Sequence, residues 1–175
     1  MVIIMPRNMS IERKQMFRFY GAELYLASDG DFDGAIELRD KLCKENGWFN
    51  CNQFHNPLNI EAHYLNTGPE IKTQYNNLLL PNADVLVSGT GTGGTIMGVR
   101  KALLQVNPRL TTMLVVPEED ALTHGIQGIN DGEDFLADRS LFQGVIEIST
   151  HDATERAKEL ARENGLLVGI SAGAN

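Results

Sequence analysis

The chain is 175 residues long and 42% apolar, with a formal net charge of −8 and a pI near 4.9. That length makes it one domain or part of a larger one, with apolar content for an ordinary core. The charge leaves no basic field to displace counterions, which argues against nucleic-acid and anionic-membrane partners, so any phosphate has to be held locally. No apolar run approaches the roughly 18 residues of a membrane span, and the opening MVIIMPRNM lacks a signal-peptide core. The expectation is a soluble, cytoplasmic protein.

In chain order, residues 2–5 read as an apolar strand stopped by Pro6. Ser10 caps a helix over 11–20 with Met16, Phe19 and Tyr20 at helical spacing, and Gly21 ends it. A strand over 23–27 follows, then a helix started by Asp31 or Asp33, with Ala35, Leu38 and Leu42 on one face and Asn46-Gly47 at its end. Residues 48–54 are expected as a strand leading into the turn signal HNPLN, and 61–76 as partly helical with a break at Gly68-Pro69. Beyond the glycine-rich stretch, the pattern predicts helix over 95–106, strand over 112–116, irregular chain over 125–144 and strand over 145–149. Helix is expected over 151–164, capped by Thr150 and stopped by Gly165, with Ala153, Ala157, Leu160 and Ala161 as its stripe. A last strand over 166–170 runs into SAGAN, a turn that should begin another helix. Cys43 and Cys51 form no zinc-type spacing and read as two buried thiols, and no metal site is expected.

This alternation implies an α/β fold with a largely parallel sheet, whose ligands sit at the carboxyl ends of strands. Two stretches qualify, SAGAN and the run from Asp84 to Arg100. In the latter Val85, Leu86 and Val87 read as a buried strand, and Gly89, Gly91, Gly93 and Gly94 let the backbone turn into a helix. The first amides of a helix lack intrahelical partners and favour a bound phosphate, and Thr90, Thr92 and Thr95 add hydroxyls. No lysine follows the last glycine, so this is not the loop of nucleoside triphosphatases. Gly89-x-Gly91-x-x-Gly94 also fits a dinucleotide fingerprint, with Glu118 and Glu119 placed to meet a ribose. Spacing leaves three readings open: a dinucleotide, another phosphate ligand, or close packing alone.

Five ordered stretches, MPRNMSIERKQMFRFYGAEL, QFHNPLNIEAHYLNTGPEI, SGTGTGGTIMG, IQGI and VGISAGA, resemble cysteine synthase (O-acetylserine sulfhydrylase), most of all its B-type enzyme. The resemblance runs from Met5 to Ala174. It implies a pyridoxal 5′-phosphate cofactor and a three-layer, mostly parallel, tryptophan-synthase-β-like fold (fold type II), here incomplete. Residues 1–55 would be part of the smaller N-terminal domain and 56–175 part of the larger cofactor-binding domain. The implied reaction is replacement of the β-acetate of O-acetylserine, or the phosphate of O-phosphoserine, by sulfide. A homodimer is implied, with serine acetyltransferase or a full-length synthase as partner.

Residue by residue, the resemblance implies that Gly91, Thr92, Gly93, Gly94 and Thr95 hold the cofactor phosphate, in agreement with the reading of the loop. Ser171 would face the pyridine nitrogen, where a neutral hydroxyl suits β-elimination better than a carboxylate would. Gln53 would sit beside the substrate carboxylate and Gly128 would line the substrate side. Without the family, Gln53 reads equally as a polar strand end, and Ser171 as a helix cap. His63 receives no role. The family's Schiff-base lysine and its substrate-carboxylate loop lie before the MPRNMS stretch. Lys14, Lys41, Lys44, Lys72, Lys101 and Lys158 match neither and read as solvated, so the residues as written are expected to be inactive. The chain is therefore expected to be a piece of a longer synthase. The alternatives are a non-catalytic relative that binds or regulates a partner enzyme, and a dinucleotide-binding domain.

Overall fold

The structure, a computed structural model, describes residues 1–78, 82–119, 124–126 and 136–175. They fall into two compact units, Met1–Cys51 and Asn52–Asn175.

The first unit is a strand-helix-strand-helix run: β1 (Val2–Pro6), α1 (Ile11–Phe19), β2 (Glu23–Ala27) and α2 (Phe32–Asn46). β1 and β2 pair in parallel, Val2 opposite Glu23 and Pro6 opposite Ala27. Pro6 thus ends the strand from inside it, a position where its missing N–H breaks no ladder. Ser10 Oγ accepts from Arg13 N at 3.4 Å, and of the two candidate starts for α2 it is Asp31 whose carboxylate accepts from Gly34 N. Gly47, at φ 65°, closes that helix in the left-handed conformation. Met5, Met9, Ala22 and Ala35 form the small core, and α1 buries no residue: Met16, Phe19 and Tyr20 all face outward. Nor are the thiols buried, since Cys43 is half-exposed and Cys51 exposed.

No strand forms over 48–54. Asn52 takes a positive φ of 46°, which ends extended chain, and its carbonyl accepts from the amides of His55 and Asn56 to close a turn. HNPLN then opens helix α3 (Leu58–Ala62), which continues through one wide π-helical turn (His63–Thr67) into α4 (Gly68–Asn77). The expected break at Gly68-Pro69 is absent. Pro69 has no N–H to donate and its ring crowds the carbonyl four residues back, and the widened turn just before it absorbs that conflict without stopping the helix. Gly68 is instead a contact point, because a Cβ there would lie 2.2 Å from Ala102 Cβ.

The second unit centres on a parallel sheet in the order β3-β4-β5: Val85–Gly89, Thr111–Pro117 and Gly144–Ile148. Val87 lies opposite Met113, and Val115 opposite Ile146. β4 is the buried centre, with Thr112, Leu114 and Val115 almost inaccessible. β3 is not the buried strand that its apolar run suggests: only Leu86 packs inward, while Val85 is 51% exposed and Val87 also faces out. Helix α5 (Gly94–Leu103) follows β3 and packs Val99 and Leu103 against Leu110, Leu86 and Ile71.

Helix α6 (Thr150–Asn164) follows β5 and carries Ala153 into a second cluster with Val115, Ile126 and Ala174. Its cap is Ser149, not Thr150, with Ser149 Oγ accepting from Asp152 N at 3.0 Å. The segment expected as a last strand, 166–170, forms no strand among the described residues: 166–169 are irregular, with Leu167 94% exposed, and Ile170 already belongs to a helix. SAGAN lies in a short helix, α7 (Ile170–Ala174), that begins one residue earlier than the turn reading placed it. Of the irregular stretch 125–144, the described part holds a single 3₁₀ turn, Arg139–Leu141.

Candidate functional site

The glycine run occupies the carboxyl end of β3 and the start of α5. Gly93 is the residue before the helix, at φ 84°, and no side chain of that residue can cap the helix. The first regular intrahelical bond is Met97 N to Gly93 O at 3.2 Å, which leaves the preceding amides to other partners. Gly94 N donates to Thr92 Oγ1 at a long 3.3 Å. This is a donor-rich, positive helix end built from small residues, and it suits a phosphate.

Three small residues one turn apart on α5 explain how that end is furnished. A Cβ on Gly94 would lie 2.0 Å from Asn59 Oδ1, and one on Gly98 would lie 2.5 Å from Ile60 O and 2.6 Å from His63 Cβ. Ala102 meets Gly68 in the same way. The stripe Gly94, Gly98, Ala102 therefore lets the α3–α4 helix come within backbone contact of α5, and that approach delivers two side chains to the loop. Asn59 Nδ2 donates to Thr92 Oγ1 at 3.0 Å and to Gln53 O at 2.9 Å. His63 Nε2 is hydrogen-bonded to Thr95 Oγ1 at 3.1 Å, and its Nδ1 to Thr67 Oγ1 at 2.9 Å across the π turn. On the other side, Thr92 O accepts from Leu136 N at 3.1 Å, and a Cβ on Gly93 would lie 2.5 Å from Ala137 N.

Of the residues singled out from sequence, Gly93 and Gly94 are buried, Thr92 is half-buried, and Gly91 and Thr95 are exposed at the loop surface. Gln53 is exposed in the turn before α3 and not on a strand, and its carbonyl accepts from Asn59, which also donates to Thr92. Ser171 is half-buried in α7, and its helix is joined to the base of the loop by Asn175: Nδ2 donates to Ser171 O at 3.0 Å, while Oδ1 accepts from Gly89 N at 2.6 Å. Gly128 lies outside the described residues. Asn59, His63 and Asn175 were not given roles by the sequence reading, although a helix repeat of Gly94, Gly98 and Ala102 marks the close approach that brings the first two in.

Of Glu118 and Glu119, the acidic residues that a dinucleotide reading would use, Glu119 is committed elsewhere. Its Oε1 accepts from Thr150 N at the start of α6 at 2.7 Å. That backbone hydrogen bond holds its carboxyl below the ordinary carboxylate range, outweighing the opposite push of burial. Thr150 Oγ1 in turn accepts from Gly125 N at 2.9 Å. The lysines also have structural engagements: Lys101 Nζ lies 4.3 Å from the Tyr64 ring centroid, Lys158 pairs with Glu155 at 2.7 Å, and Lys14 donates to Arg7 O.

The match to known proteins extends over the same ground. All of residues 1–175 match the family described as pyridoxal-phosphate dependent enzyme. The chain is 35% identical to a cysteine synthase of Staphylococcus aureus, over 99% of this chain and 58% of that protein. It is 38% identical to cysteine synthase 3 of Caenorhabditis elegans, over 99% of this chain and 53% of that one. A hydrogen sulfide-producing enzyme from Fusobacterium nucleatum superposes with a TM-score of 0.89 at 36% identity, over 99% of this chain and 60% of that structure. Cysteine synthase from Entamoeba histolytica superposes with a TM-score of 0.83 at 36% identity, over 99% and 53%. The chain thus spans a little over half the length of the curated relatives it matches, and its fold is that of the fold-type II enzymes. With the family matched from end to end, and a glycine-started helix offering donors for a phosphate, the chain belongs to the pyridoxal-phosphate dependent enzyme family.

Proposed function

We propose that these residues form the central part of a pyridoxal-phosphate-dependent cysteine synthase, which replaces the β-leaving group of O-acetylserine or O-phosphoserine with sulfide. The observation that carries this is the open start of α5, whose flanking hydroxyls Thr92 and Thr95 are already held by Asn59 and His63. Gly91, Thr92, Gly93, Gly94 and Thr95 cradle the cofactor phosphate through helix amides and hydroxyls. Glycine at 93 and 94 lets Ala137 and Asn59 close in on the loop, since a Cβ at either position would collide with them. When bound, the cofactor ring supplies an electron sink for loss of the substrate's Cα proton and β-leaving group. By the family resemblance, Ser171 would meet the ring nitrogen with a neutral hydroxyl, Gln53 would donate its amide to the substrate carboxylate, and Gly128 would line the substrate side.

The activity belongs to the longer enzyme. Lys101 stacks on Tyr64 and Lys158 pairs with Glu155, and the family resemblance assigns the anchoring lysine and the substrate-carboxylate loop to a segment that these residues do not include. In the working protein, residues 1–55 belong to the smaller domain and 56–175 to the larger, and the enzyme is a cytoplasmic homodimer that can engage serine acetyltransferase.

The test is pyridoxal phosphate binding by the chain, followed by borohydride and intact mass. The expected outcome is a phosphate-dependent rise in melting temperature, equivalent to about 2.7 kcal/mol at a hundredfold excess over Kd, with no covalent adduct. A borohydride-stable adduct on one of the six lysines would overturn the inactivity of these residues, and absence of any shift would overturn the cradle.

A further inference from the structure

We propose that Asn59 is a positioning residue that fixes Thr92 as a hydrogen-bond donor to the bound anion and, through the same amide, sets the place of Gln53. This rests on the cofactor reading above. Asn59 Nδ2 has two hydrogens and two acceptors, Gln53 O at 2.9 Å and Thr92 Oγ1 at 3.0 Å. A main-chain carbonyl only accepts, so the contact with Gln53 dictates which end of the amide is nitrogen, and with it the direction of the bond to Thr92.

The consequence falls on Thr92. Its hydroxyl oxygen has two lone pairs, and two donors reach it, Asn59 Nδ2 and Gly94 N at 3.3 Å. What remains is its own O–H, which can only donate. A phosphate offers only acceptors at neutral pH, so a hydroxyl locked in this sense is already oriented for it, whereas a freely rotating one loses rotational freedom on binding. The arrangement needs glycine at 94, where a Cβ would overlap Asn59 Oδ1 at 2.0 Å. It also links the two halves of the chemistry, because the amide that orients a phosphate ligand pins the main chain of the residue proposed for the substrate carboxylate.

A double-mutant cycle on the full chain tests this, reading pyridoxal phosphate affinity by equilibrium dialysis for the unsubstituted protein, Asn59→Ala, Thr92→Val and the pair, with far-UV circular dichroism as the fold control. Asn59→Asp, which keeps the shape but turns a donor into an anion, is run alongside so that loss of fold in one Asn59 variant leaves the other. Asn59→Ala should weaken binding about fivefold and Asn59→Asp more than about tenfold, because the latter captures the Thr92 proton. The pair should bind within about twofold of Thr92→Val alone, as expected when one residue acts through the other. Losses that multiply, or an Asn59→Asp variant that binds like the unsubstituted chain, would overturn the role of Asn59. Failure of the unsubstituted chain to bind would instead sink the cofactor reading beneath it.

Discussion

Two helices of the second unit begin just after parallel strands of one sheet, and they begin in opposite ways. α6 starts on Ser149, whose hydroxyl takes Asp152 N, while the Glu119 carboxylate reaches across from the end of β4 to take Thr150 N. Its positive end is answered from within the chain by a hydroxyl and a negative charge. α5 starts on Gly93, which has no side chain to cap with, and among the described residues Thr92 Oγ1 takes Gly94 N over a long 3.3 Å. Thr92 and Thr95 are in turn hydrogen-bonded to Asn59 and His63. The first start is closed and serves stability. The second has no side-chain cap on its first residue, and under the proposed function its donors serve the cofactor phosphate.

The comparison breaks most severely at Gly93. Alanine there combines a left-handed backbone with a Cβ 2.5 Å from Ala137 N, so Gly93→Ala should destabilise the chain by about 3 kcal/mol and abolish pyridoxal phosphate binding, seen by urea unfolding and dialysis. Ser149→Ala at the closed start should cost about 1 kcal/mol and leave cofactor affinity unchanged. If the Ser149 variant lost affinity as well, the division into a structural and a binding helix start would not hold.

Much of this was legible in the residues. The strand-helix alternation, the Gly47 and Gly165 stops and the glycine start of α5 all follow from local chemistry. What was not legible depended on neighbours. The run 166–170 has strand composition but pairs with no strand among the described residues, and pairing rather than propensity makes a strand. Gly68-Pro69 looks like a helix break until a π turn and a close approach to Ala102 give both residues a use. Asn59 and His63 read as ordinary helix residues, and only the distance between two helices reveals what they hold.

The smallest effect is a matter of pH at the closed start. Glu119 has its pKa lowered chiefly by the hydrogen bond from Thr150 N, with a further contribution from His124. Asp152 is lowered by Ser149 and His151, and Glu155 by Lys158. A carboxyl whose folded pKa lies below its unfolded one binds fewer protons when folded, so its contribution is fully present above the ordinary value near 4.5 and disappears as pH falls through the lower folded value. Glu119→Gln removes the negative charge facing α6 while leaving an oxygen for Thr150 N. The variant should therefore be less stable than the parent at neutral pH, and the gap should close as pH falls below the ordinary carboxylate value and through the lowered folded one, with Asp152 and Glu155 preserving part of the acid sensitivity in both. Urea midpoints measured from about pH 3 to 7 would show the two curves converging; parallel curves would mean that the Glu119 charge is not what closes this helix.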